Sequence, residues 1–134
     1  MSIPELHCLL IDDDVDDHDI FRLCLEEIES NILLQVQSGG AEALHWLQSN
    51  TAYIPNWIFL DINMPLMSGL ECLQELRAIE RLNNSQVFMY STSASPAIAA
   101  EAKQLGATRV VIKPAKTSDL KQLIHELVTG EPQP

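Results

Sequence analysis

The feature that most constrains this chain is a rhythm. Five short apolar runs, at residues 8–11, 32–36, 57–60, 87–90 and 110–112, alternate with segments of helical spacing. Each run is too short for an ordinary helix and reads as a buried strand. Between the first two runs, Ile20, Phe21, Cys24, Leu25 and Ile28 follow i, i+1, i+4, i+5, i+8. The last segment sets Leu120, Leu123, Ile124, Leu127 and Val128 on one stripe, with Thr117 or Ser118 as cap and Gly130 as stop. Weaker helical patterns cover about 41–48, 69–82 and 96–105, the last closed by Gly106. Strand–helix alternation repeated five times predicts an α/β fold, a parallel sheet with helices on both faces. At 134 residues the chain makes about one domain, read here as residues 1–130 with a short tail at 131–134.

In an open parallel sheet, ligands bind beyond the carboxyl ends of the strands. The residues following the runs are Asp12, Asp13 and Asp14 after the first, Asp61 after the third, Ser91 after the fourth and Lys113 after the fifth. Four of five strand ends therefore deliver polar or charged side chains to one edge.

The charge is uneven in the same direction. Residues 1–65 hold twelve acids against the single base Arg22, whereas residues 66–134 hold seven of each. Six aspartates crowd into residues 12–19 and repel one another, a strain that a bound cation relieves. Asp16, Asp17 and Asp19 fit a solvated helix start equally well. Such an acidic surface repels phosphate backbones, so no direct nucleic-acid binding is expected. The apolar runs are too short to span a bilayer, the N-terminus lacks a basic leader, and the three scattered cysteines read as reduced thiols. A cytoplasmic protein without membrane contact is expected.

Clustered aspartates at a strand end suit a hard ion such as Mg²⁺, which takes oxygen ligands and presents its open positions to phosphoryl oxygens. Lys113 adds a compact positive charge and Ser91 a hydrogen bond. Asp61 is the carboxylate best placed to attack phosphorus and form an acyl phosphate. These residues point to phosphoryl transfer onto an aspartate.

In CLLIDDD, FLDINMPLMSGL, the serine of VFMYSTSA and VVIKPA, the sequence resembles the receiver domain of bacterial two-component response regulators. The gaps from Asp61 to Ser91 (30) and to Lys113 (52) are similar to those of single-domain, chemotaxis-type receivers. The resemblance covers about residues 5–129. It implies a flavodoxin-like (βα)5 fold with strand order 2-1-3-4-5, and a stand-alone regulator in a phosphorelay. Asp61 is then the phosphoacceptor, taking its phosphoryl group from a phosphohistidine of a sensor histidine kinase or phosphotransfer protein. Asp13 ligates Mg²⁺ directly, Asp12 does so directly or through water, and Asn63 offers its backbone carbonyl. Ser91 stands at the switch hydroxyl, Lys113 pairs with the phosphoryl group, and the Lys113–Pro114 bond is expected to be cis. Such a protein is no turnover enzyme, although its own site catalyses its phosphorylation and dephosphorylation. Its output is protein–protein contact with a downstream target through the fourth helix, fifth strand and fifth helix, on or near which lie residues 97–102, Lys103, Lys116 and Lys121. One departure is Val110, which stands where many receivers carry an aromatic ring that reports phosphorylation.

Other readings attach to the same residues. Thr92 becomes the functional hydroxyl if the register is off by one. Met64, Pro65, Met67 and Gly69 read as turn geometry, Asp14 as outer support or solvated, and His18 as a solvated side chain rather than a metal ligand. His7, His45 and His125 lack partners at ligand spacing, and Trp46 and Trp57 are expected to pack against the sheet. An Asp-x-Asp phosphatase motif at Asp12 and Asp14 lacks the threonine it needs at Asp16. An EF-hand loop starting at Asp12 fails at Asp17 and Leu23. An unphosphorylated interaction module is the remaining alternative.

Overall fold

The computed structural model describes residues 5–28 and 31–130; the tail expected at 131–134 lies outside them. In chain order the elements are β1 (Leu6–Ile11), α1 (Val15–Ile28), β2 (Ile32–Gln37), α2 (Gly40–Ser49), β3 (Trp57–Leu60), α3 (Gly69–Arg77), a 3-10 turn (Glu80–Leu82), β4 (Gln86–Ser91), α4 (Pro96–Gln104), β5 (Arg109–Ile112) and α5 (Thr117–Thr129). The strands form one parallel sheet in the order β2-β1-β3-β4-β5. This is the flavodoxin-like arrangement. No helix among the described residues is long and apolar enough to cross a membrane.

The pleat explains why the strands read as unbroken apolar runs. Leu9, Ile11, Ile58, Leu60, Val87 and Met89 point to one face, where α2, α3 and α4 cover them with Ala43, Leu47, Cys72, Leu73, Leu76 and Ala102. Cys8, Leu10, Trp57, Phe59, Phe88, Tyr90 and Val111 point to the other, against Phe21, Cys24 and Leu25 of α1 and Leu120, Ile124 and Leu127 of α5. Alternate residues thus feed two cores, and polar side chains on the inner strands are confined to their ends, at His7, Gln86 and Ser91. Trp57 belongs to the second core, while Trp46 packs partly buried against the first.

Helix boundaries follow local chemistry. Ser68 and Glu71 close a capping box on α3, and Ser95 accepts from the Ile98 N–H ahead of Pro96 in α4. The helix expected over 69–82 stops at Arg77. There the chain tightens into the 3-10 turn that buries Leu82, and Arg77 donates to the carbonyls of Leu82 and Gly106. The start of α5 also differs from expectation: Lys116 occupies the cap position without a side-chain hydrogen bond, and Thr117 is already helical. Gly130 ends that helix at φ 75°, in the left-handed region.

Gly69 ties the fold to the edge of interest. A Cβ there would lie 2.2 Å from the Asp61 carbonyl oxygen and 2.6 Å from the Ile62 Cα, so only glycine lets α3 begin against the end of β3. The Gly69 N–H also bonds the Ile62 carbonyl at 2.8 Å. Gly69→Ala is expected to cost about 1–3 kcal/mol through overpacking against backbone that cannot yield. Urea unfolding of the two proteins measures this directly.

Candidate functional site

The residues at the carboxyl edge are held by continuations of the sheet ladder. The Asp12 N–H donates to Gln37 O (3.1 Å), Asp61 N–H to Ile11 O (3.0 Å) and Lys113 N–H to Ser91 O (2.7 Å). Each side chain therefore leaves the sheet one residue beyond its strand with its backbone still in register. Asp12 is fully buried, and Ser91 and Asp61 nearly so at 1% and 6% exposure, whereas Asp13 is exposed.

Lys113 reaches across this edge. Its Nζ lies 2.7 Å from Asp12 Oδ2, 2.9 Å from Asp17 Oδ2 and 3.6 Å from Asp61 Oδ2. Burial opposes its charged form, but hydrogen bonds to Asp12 and Asp17 outweigh that and hold its pKa above the ordinary lysine value. Burial pushes the Asp12 carboxyl up, against the pull of Lys113 and of the Asp14 N–H that bonds its Oδ1. Carboxylate oxygens of Asp12, Asp13 and Asp61 all lie within 4.8 Å of one another, a group able to hold a metal ion. On the far side, Asn63 gives its backbone N–H to Asp61 Oδ1 (3.3 Å) and its Nδ2 to Ser91 Oγ (3.2 Å). Ser91 accepts here, so its hydroxyl proton remains free to be donated elsewhere.

The structure therefore gathers Asp12, Asp13, Asp61, Asn63, Ser91 and Lys113 at one edge. It brings Ser91, not the exposed Thr92, to Asn63. Asp14 is exposed and caps α1, accepting from the Asp16 N–H at 3.0 Å. Two expectations are corrected, and the open reading of Asp17 is decided. Among the described residues there is no cis peptide bond: Lys113–Pro114 keeps the trans form that X–Pro bonds prefer by about 0.5–1 kcal/mol. His18 is buried, not solvated, with its Nε2 2.5 Å from the Asp12 carbonyl oxygen. Asp17 is no free helix-start acid but a direct partner of Lys113.

Both missed residues carried a readable signal. Asp17 precedes Phe21 by four residues and Cys24 by seven, and His18 precedes Phe21 by three and Leu25 by seven, so one more turn of the buried α1 stripe reaches them. Tyr90 was the third omission; its ring centroid lies 5.0 Å from Lys113 Nζ, and edge-to-face contacts with Phe21 and Phe59 hold it. Burial pushes its phenol pKa up, keeping it neutral. Val110, by contrast, packs toward the α2–α4 face.

Lys113→Met leaves Asp12 buried without its counter-charge, which is expected to cost about 3–5 kcal/mol at neutral pH in the metal-free protein. A raised folded-state pKa means the lysine contribution is complete below the ordinary value of about 10.4 and is lost as pH climbs through the higher folded one. The gap between wild type and variant in urea melts is therefore expected at pH 7 and to close in strong alkali.

A family model for the response regulator receiver domain matches residues 8–125. Among curated proteins, the response regulator mcs4 of Schizosaccharomyces pombe is 33% identical over 81 residues, covering 60% of this chain and 15% of that protein. The nitrate/nitrite response regulator protein NarL of Escherichia coli (strain K12) is 28% identical over 121 residues, 87% of this chain and 54% of its own. A protein-glutamate methylesterase/protein-glutamine glutaminase of Caldanaerobacter subterraneus subsp. tengcongensis is 34% identical over 119 residues, 86% of this chain and 32% of its own. The chain thus spans about half or less of the length of these relatives. Among solved structures, the phosphorylated cyanobacterial phytochrome response regulator RcpA superposes with a TM-score of 0.84 at 23% identity, covering 92% of this chain and 91% of that one. Chemotaxis protein CheY4 of Vibrio cholerae gives 0.78 at 24% identity, with 92% and 98% covered. A two-component response regulator from Legionella pneumophila gives 0.77 at 26%, with 93% and 99% covered.

Proposed function

The chain belongs to the response regulator receiver domain family, and on that premise we propose that it accepts a phosphoryl group on Asp61 from a phosphohistidine of a sensor kinase or phosphotransfer protein. The observation that carries this reading is the convergence of one buried lysine on Asp12 and Asp61, beside a third carboxylate at coordination distance.

In the proposed step an Asp61 carboxylate oxygen attacks phosphorus, the O–P bond forms, and the P–N bond breaks with its electron pair returning to the imidazole. Asp12, Asp13 and Asp61 supply only hard oxygen donors in a partly open cluster, which fits Mg²⁺, and the Asn63 carbonyl completes the set in this reading. Bound there, the ion would neutralise charge on the transferring phosphoryl oxygens. Lys113 adds a positive charge beside Asp61, and the Ser91 hydroxyl is available to donate to a phosphoryl oxygen. Asn63 holds Asp61 and Ser91 in one array through its two hydrogen bonds.

The output in this proposal is protein–protein contact through α4, β5 and α5. Lys103 and Lys116 are exposed there, but Ala102 is buried, and Lys121 turns toward α1 to pair with Glu27 at 3.0 Å. A cytoplasmic setting is part of the same reading, supported by three buried, unpaired cysteines.

Incubation with acetyl phosphate, followed by intact-mass analysis, tests the reaction. One phosphoryl group per chain is expected on wild type with Mg²⁺ present, and none on Asp61→Asn. Repeated turnover would favour a phosphatase, and no incorporation would favour an unphosphorylated interaction module. The metal assignment has its own check. Mg²⁺ at ten times its dissociation constant is expected to stabilise wild type by about 1.4 kcal/mol in thermal melts. Asp13→Ala is expected to lose that response, and retention of it would overturn the assignment.

A further inference from the structure

We propose that Asp17 is a positioning residue that gives the Lys113 ammonium a second seat, one from which the lysine must be released when Asp61 is phosphorylated. The inference rests on the phosphoacceptor reading above and adds a control element to that site.

The hydrogen bonds of Lys113 carry the argument. An ammonium has three N–H donors. Two of them are committed, to Asp12 at 2.7 Å and to Asp17 at 2.9 Å, while the contact with Asp61 at 3.6 Å is an ion pair beyond hydrogen-bond range. The lysine is therefore held more tightly by the two acids beside the phosphoacceptor than by the phosphoacceptor itself. Tyr90 forms a wall under the same nitrogen.

Asp12 and Asp17 are not equivalent partners. Asp12 is one of the three carboxylates that can share a cation, and a bound cation weakens its hold on the lysine. Asp17 is not in that group, so its attraction for Lys113 persists when the cation site fills. Asp17 comes from the first full turn of α1, on the stripe that anchors that helix through Phe21 and Cys24. Its backbone is fixed by that packing, so only the short side chain can follow the lysine. Phosphorylation places a more highly charged group on Asp61, which competes with Asp17 for the lysine and draws it away. Asp17 opposes the phosphorylated state twice, by retaining the ammonium and by adding a like charge nearby.

Asp17→Asn keeps the shape and removes the charge. With acetyl phosphate and saturating Mg²⁺, it is expected to raise the steady-state phosphorylated fraction or its rate of formation roughly two- to fivefold, the range carried by one partly exposed ion pair. Asp17→Glu, which restores the charge, is expected to return toward wild type. A second readout does not depend on phosphorylation. In heteronuclear NMR of the unphosphorylated protein, Asp17→Asn is expected to shift the Lys113 ammonium resonance. Once beryllofluoride, a phosphoryl mimic, is added, the wild-type and Asp17→Asn resonances are expected to converge, because the lysine has left Asp17.

An unchanged or slower phosphorylation of Asp17→Asn, with wild type labelled normally, overturns the second seat and leaves the phosphoacceptor reading standing. So does an ammonium resonance that ignores the substitution. Failure of wild type to take up any phosphoryl group overturns both together, and is recognised by the absence of label on every variant.

Discussion

A lysine ammonium held among buried carboxylates is the interaction on which this edge of the molecule depends. Asp12 is fully buried and Asp61 nearly so, a placement that costs several kcal/mol per charge unless a counter-charge lies alongside. Lys113 supplies it from a residue 101 positions away in the chain from Asp12. That requires β1, β3 and β5 to end at the same height, which only a parallel sheet with its crossovers provides. The sheet, its two layers of helices and the caps that terminate them serve that coincidence of strand ends.

The division of the sheet into two cores decides what surrounds the lysine. On the α1–α5 side, Tyr90, Phe21 and Phe59 make an aromatic layer beneath its nitrogen. On the α2–α4 side, Val110 pairs in register with Met89 and packs among aliphatic groups. Tyr90 and Val110 face opposite sides of the sheet, so Tyr90 is not a relocated version of the ring that many receivers carry at the Val110 position. The α4 side of the sheet therefore carries an aliphatic side chain, not a ring, at that position.

Much of this was legible before any coordinates. The strands were visible as apolar runs because burial on both faces leaves no polar alternation to disguise them. Asp12, Asp13, Asp61, Ser91 and Lys113 were visible because strand ends are the places where a buried run must stop. What escaped had a common cause. The helical pattern over 69–82 outruns the helix because the inward turn of Leu82 keeps an apolar residue at helical spacing after the helix has ended. His18 reads as solvated, and Asp17 is open between a solvated helix-start acid and a member of the acidic cluster, because a charge at a helix start is normally free. Their true surroundings depend on how α1 lies against β1 and the end of β5.

Sequence alone determined the fold class, the polarity of the sheet and the identity of the groups at its edge, because periodicity and strand termination are local properties of the chain. Tertiary structure alone decided which of six neighbouring aspartates faces the lysine, which hydroxyl meets Asn63, and which histidine is buried. Those choices rest on the packing angle of one helix and the reach of one side chain. Both are set by contacts between residues far apart in sequence, and no pattern within a short window encodes them.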